Sequence, residues 1–318
     1  MGSSSVVVEN QQAQTQGNDI VDHKLPSADI EVEPQHQRRE GDDERALLKN
    51  KLRSALARHN GSTKHPEVVQ LINDLSKVNP TRGNVVDSPL FHGEYSALTS
   101  PNFPGRIKPS KGQEDIVQYT LGRLSFNIFQ PHKLVCTLRS VRNPVNIMTD
   151  ADDDLKAKYE GKVLINYPLI LDITIHTPNG DLPAELQNEA FCYEHDTIAD
   201  RLMVSFRGAT LKPAAEVTAD PTKLKLWVDT FEGAYKKADD ERSILGKVFQ
   251  YIINLLLGLT LPTDGDLMFK HSFHFDMKRS PVGYLDLVYL DEEMRITKGN
   301  RGTLVVVERS KCDMVEQQ

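Results

Sequence analysis

Between Gly283 and Arg309 the chain reads GYLDLVYLDEEMRITKGNRGTLVVVER. Three runs of branched and aromatic residues stand close together here, at 284–290, 294–298 and 303–307. Asp291-Glu292-Glu293 separates the first two, and Gly299-Asn300-Arg301-Gly302 separates the last two. Gly and Asn accept the positive φ that a tight turn needs, so the pattern predicts three antiparallel strands on short connections. Such a meander has one apolar face and cannot bury it alone. The rest of the chain has to supply a sheet for it.

The upstream sequence does so. Residues 163–175, 186–193 and 201–210 alternate apolar and polar, with Leu171, Ile173 and Ile175 on one face and Leu202, Val204 and Phe206 on another. Pro178-Asn179-Gly180-Asp181 predicts a hairpin turn. Alternation at 117–130 (Leu124, Phe126, Ile128) and a run at 134–141 predict two further strands, and 93–95 starts the first. Around 269–278, Phe269, His271, Phe273, Phe275 and Met277 alternate with polar residues. Eight to ten such strands on short turns predict a mainly β fold: an antiparallel up-and-down barrel, wide enough at about eight strands to hold one small ligand.

Helices frame this sheet. Leu48, Leu52, Ala55 and Leu56 fall on one helical face, and Val68, Leu71, Ile72 and Leu75 on a second, with Pro66 in its first turn. Residues 215–265 break the strand pattern as a helical insertion. Within it, the helical candidate 238–262 is apolar almost all round from Tyr251 to Leu261, an unbroken part shorter than the about 20 residues of a membrane span. This segment is read as a helix packed on the barrel, or as one that docks on a lipid surface. The expected organisation is an acidic, disordered tail at 1–44, a helical segment at 45–80, the barrel at 81–309 and a C-terminal tail at 310–318.

Charge narrows the partners. Residues 1–44 hold ten acidic and three basic side chains, which accounts for the whole formal charge of −7. The neutral body has no basic stripe, which argues against nucleic acid. Cys136, Cys192 and Cys312 show no CxxC spacing and read as reduced thiols, with neither a disulfide framework nor a zinc module. The N-terminus is acidic, unlike a transit peptide, and Val6 interrupts a myristoylation pattern.

No catalytic motif is present: GxSxG, P-loop and GxGxxG are all missing, and no catalytic residue, metal site or cofactor is expected. The acidic run 150–154 lacks the spacing of a calcium loop and reads as a solvated loop, as does Glu194-His195-Asp196. His271 and His274 would face opposite sides of one strand and could not share a metal. The candidate ligand-binding residues are therefore Phe126, Ile173, Phe206, Phe273, Phe275 and Tyr284 on apolar faces, with His271 among them as a polar group. At least half of these are expected to be ordinary core. Arg295 stands beside Asp291, Glu292 and Glu293 at the rim. It reads either as a structural ion pair or as a fixed cation for an acidic head group.

The stretch from Tyr289 to Gly302, YLDEEMRITKGNRG, followed by the strand 304–307, resembles the closing turn of the plastid lipid-associated protein (fibrillin) family. The helices after Leu47-Leu48 and at 69–75, Asn79-Pro80-Thr81, and Ser88 to Tyr95 are similar to that family's opening, with Tyr95 where Trp is usual. The resemblance implies a lipocalin-like barrel, no enzymatic activity, and carriage of a lipid, fatty acid, quinone or isoprenoid. It further implies residence at plastoglobule or thylakoid surfaces, with a cytoplasmic location as the alternative given the acidic N-terminus. The rival function is a structural protein that coats a lipid body or membrane through the 238–262 helix.

Overall fold

The computed structural model describes residues 35–310, apart from 82, 84, 110–111, 113–114, 242, 244–246, 248–250, 252–253, 263–270 and 280–281. The expected tail up to residue 34, the tail after 310 and much of the 238–262 segment lie outside the described residues. From Gly41 onward the described residues belong to one unit.

The first described elements are two helices, α1 (Gln35–Arg58) and α2 (Pro66–Lys77). The first starts about ten residues before the expected boundary at 45. Pro66 sits in the first turn of α2, and His65 caps it by accepting the Glu67 N–H on Nδ1. The face anticipated from spacing is the buried one: Leu52, Ala55 and Leu56 of α1 and Val68, Ile72 and Leu75 of α2 pack on Tyr289, Met294, Ile296 and Val306.

The sheet contains β1 (Gly93–Ala97), β2 (Gln118–Thr120), β3 (Val135–Ile147), β4 (Ile165–Asn166), β5 (Leu169–Thr177), β6 (Gly180–Glu194), β7 (Arg201–Pro213), β8 (Leu259–Thr260), β9 (Phe273–Met277), β10 (Val282–Leu290), β11 (Met294–Gly299) and β12 (Leu304–Arg309). All pairings are antiparallel. Strands β1, β3, β5, β6, β7, β10, β11 and β12 each pair with the next in chain order, and β12 pairs back with β1. The expected up-and-down sheet is thus closed into a ring of eight. Strands β4 and β5 keep one register against β3 and β6, so they act as one strand interrupted at Tyr167-Pro168.

Several local expectations give way. Residues 117–130 are not one strand. After β2, Thr120 caps a single helical turn, α3 (Leu121–Leu124), and Phe126 and Asn127 adopt positive φ. The acidic run caps a short helix, α4 (Asp153–Lys158), through Asp152, which accepts the Leu155 N–H at 2.7 Å. After β7 come α5 (Ala215–Thr218), α6 (Pro221–Phe231) and α7 (Ala234–Asp240), so the insertion begins helical as expected, although β8 also falls within 215–265.

The ring has two unlike ends. Toward α6, its interior is a filled core of Ile173, Leu186, Leu211, Phe273 and Phe275, closed by Phe129, Trp227 and Phe231. Gly208 allows β9 to cross closely there, since a Cβ would meet the Phe275 carbonyl oxygen at 2.1 Å. Toward β1 and β12, a second interior cluster gathers Phe91, Tyr95, Val145, Cys192, Leu202, Leu287 and Val307.

Candidate ligand site inside the ring

Residues paired across antiparallel strands share a face, so register defines the inward set. Tyr95 stands opposite both Asn143 and Arg309, while Val307 stands opposite both Ala97 and Arg295. Ala190 pairs with Phe206, Cys192 with Val204, and Gly283 also with Val204. Because Tyr95, Cys192 and Val307 belong to the interior cluster, Arg295 and Phe206 face inward with them.

Arg295 is only 1% exposed. Its guanidinium lies 4.2 Å from the centre of the Tyr95 ring and 5.2 Å from those of Phe91 and Tyr167. These contacts favour a cation electrostatically. Nη2 donates to Asn143 Oδ1, and Asn143 in turn donates to the Pro168 carbonyl at 2.7 Å. Nε and Nη1 are buried and find no acceptor among the described residues. The second inward cation, Arg309, is 5.0 Å from the Tyr95 ring and is satisfied differently: it donates to the carbonyls of Glu292, His92 and Leu90 and to the Tyr95 hydroxyl. Burial raises the pKa of Tyr167 and the Arg295 charge works against that rise.

The expected ion pair between Arg295 and its neighbouring acids does not form. Asp291 and Glu293 lie off the strands, in the β10–β11 turn, and face α1, where Lys49 Nζ donates to Asp291 at 2.7 Å and contacts Glu293 at 2.9 Å. Arg53 bridges Glu293 and Glu308. Arg295 pairs with Leu290 next to the turn, at the end of the ring, and is buried there.

Between the two cores, inward apolar side chains stay only partly buried: Val141, Leu169, Val204, Leu285 and Val305. Phe206 belongs to this level. Phe126 meets it edge-on at 5.4 Å and remains 45% exposed. From outside, Phe206 also lines a cleft of about 670 Å³ with Met277, Lys278, Arg279 and Val282, where β9 gives way to β10 beside β7. Phe206 thus stands between the partly buried inward level and the outer cleft.

Of the candidate residues, Phe206 and Arg295 face the interior, while Phe126 touches Phe206 from a loop and stays exposed. Ile173, Phe273 and Phe275 lie in the filled core. Tyr284 carries the Arg201 guanidinium on its ring at 3.9 Å, and Arg201 pairs with Asp286 on the same face. Since Leu285 faces inward, Tyr284 faces out. His271 precedes β9 at φ 50° and so is off the strand on which alternation put it; its buried Nδ1 has no partner among the described residues. Asn143 and Tyr167 were missed, since Asn143 lies in a run without clean alternation and Tyr167 at a strand break.

Residues 266–308 match the PAP_fibrillin family model. The match supports assignment to the plastid lipid-associated protein family on the closing strands, where the resemblance was strongest. No curated protein and no solved structure matches the chain. The stretch similar to that family's opening adjoins its closing turn in space: Asn79 Oδ1 accepts the Leu290 N–H at 3.0 Å, and the Thr81 hydroxyl donates to the Leu290 carbonyl at 2.8 Å.

Other groups offer less chemistry. Burial pushes the Cys136 and Cys192 thiols up to about 12, so neither is a nucleophile at neutral pH. His59, His65 and Glu67 hold possible ligand atoms within 4.8 Å of one another, a grouping the sequence reading did not notice. Their roles in capping α2 and bonding across the α1–α2 turn account for it.

Proposed function

We propose that this protein binds and carries a hydrophobic small molecule, of lipid, fatty acid, quinone or isoprenoid type, inside the ring, without catalysing a reaction, at plastid lipid surfaces. The observation that supports this reading best is the inward-facing Phe206, at a partly buried level between two closed cores, with the exposed Phe126 ring against it. Burial of such surface by a ligand contributes about 25 cal/mol per Å². The family match on the closing strands agrees with lipid association. Protein purified from its own cells and extracted with solvent should release a near-stoichiometric apolar molecule detectable by mass spectrometry. Lipid-free protein that also takes up no fluorescent apolar probe would overturn the reading.

A surface role has its own observation. Tyr251, Leu255, Leu256 and Leu261 are exposed, and Tyr251 and Leu261 line a cleft of about 290 Å³ with Asn127 and Ile128, next to Phe126. An apolar patch at this place suits contact with a lipid layer. In liposome flotation, Leu255→Asp with Leu256→Asp should cut the bound fraction several-fold. Unchanged flotation of the folded double variant would remove the surface role.

A further inference from the structure

We infer that the ligand carries an acidic head group, a single carboxylate on an apolar body, and that Arg295 receives it. This rests on the container reading above and narrows its ligand class. A guanidinium is always charged, and burying one is costly unless each donor finds an acceptor. At Arg295 three rings cover the charge, yet Nε and Nη1 find no acceptor and no carboxylate is paired with it among the described residues. Nearby acids are committed elsewhere, to Lys49 and Arg53. Arg309 adds a second cation on the same face, and its donors go to neutral carbonyls and a hydroxyl. Among the described residues the inward face carries Arg295 and Arg309, and the acid that register places there, Glu194 opposite Leu202, accepts the Val86 N–H and pairs with neither. An acceptor from outside the chain meets both needs, and a carboxylate suits guanidinium geometry.

The charge supports a monoanion over a phosphate. A dianion brings more oxygens than Arg295 can serve, and Arg309 has few donors to spare. A neutral quinone carbonyl would accept one hydrogen bond and leave the Arg295 charge unpaired. Phe91, Tyr95 and Tyr167 exclude water around the head, while Phe206, with Phe126 against it, offers the apolar level for the body.

The test uses the delipidated full chain with a fluorescent long-chain carboxylic acid and its neutral primary amide, which differ little but in charge. Wild type should bind the acid at least tenfold more tightly than the amide. Arg295→Met, which keeps the length and apolar stem, should bind the two within about threefold, with the amide affinity retained. Arg295→Lys should fall between them. Equal binding of acid and amide by wild type overturns the head-group inference and leaves the container reading standing. Binding of neither overturns the container reading itself. A preference for the acid that survives in Arg295→Met also overturns the role of Arg295. If Arg295→Met does not fold, the acid-to-amide ratios of wild type and Arg295→Lys decide the matter alone, and equal ratios overturn it.

Discussion

An Asp291→Ala variant should lose about 3–5 kcal/mol of stability, the range for breaking a buried charge pair from one side. Asp291 is where the closing turn is tied to the rest of the chain. Its Oδ2 accepts from Lys49 Nζ at 2.7 Å and from the Tyr289 hydroxyl at 2.6 Å. Its Oδ1 accepts the Glu293 and Met294 amides at 2.9 and 2.8 Å. Removal orphans the Lys49 ammonium in a site with little solvent, and only Glu293 remains against it. Burial opposes the Lys49 charge, but hydrogen bonds from Asp291 and Glu293 outweigh it and the pKa is raised. Urea unfolding followed through Trp227, the one tryptophan and a buried one, reads the loss. Asp291→Asn should cost less, because an amide oxygen can still accept the two backbone N–H groups. The Glu293 carboxyl is held below its usual range by Arg53 and then Lys49. Its contribution is present above the ordinary glutamate pKa and fades as pH falls through the lowered one. Asp291→Ala within about 1 kcal/mol of wild type would mean the turn is held by its strand pairing alone.

What the sequence disclosed about this fold follows the reach of each signal. Alternation is a local property, and it was reliable wherever strands are long and one face is buried, as in β6, β7 and β10 to β12. At 117–130 it misled. Leu124, Phe126 and Ile128 do alternate, but the Thr120 cap and two positive-φ residues make a helical turn and a bend, so that Leu124 and Ile128 seal a core from a loop while Phe126 stays exposed. The acids at 291–293 pointed to a pairing with Arg295 that is adjacent in sequence. Their true partners, Lys49 and Arg53, lie more than 200 positions away and become neighbours only when α1 docks on β10 to β12. Freed of those acids, Arg295 faces the other way. Its value as a site thus depended on a long-range contact that no local pattern encodes. The cage of Phe91, Tyr95 and Tyr167 was hidden for the same reason.

The division of the candidate aromatics into core and lining leads to a paired result. Phe275→Ala should destabilise the protein by about 3–5 kcal/mol, because it opens a cavity in a closed cluster. Phe275 is fully buried and meets Phe129 at 5.2 Å. Phe206→Ala should cost less, about 2 kcal/mol, since Phe206 is only partly buried and borders an outer cleft that can take up the space. It should nevertheless weaken an apolar probe at least tenfold, whereas Phe275→Ala should leave probe affinity within a few-fold in the folded fraction. Urea unfolding and fluorescent-probe titration on the same two variants separate the roles. Both residues began as equivalent: each is a Phe on the apolar face of an alternating strand. What distinguishes them is the level of the ring at which each strand delivers its side chain, below Trp227 and Phe231 for one and between the two cores for the other. If Phe206→Ala instead unfolds as readily as Phe275→Ala and binding is untouched, the ring is filled throughout, and the exposed patch around Tyr251 becomes the better account of how this protein meets lipid.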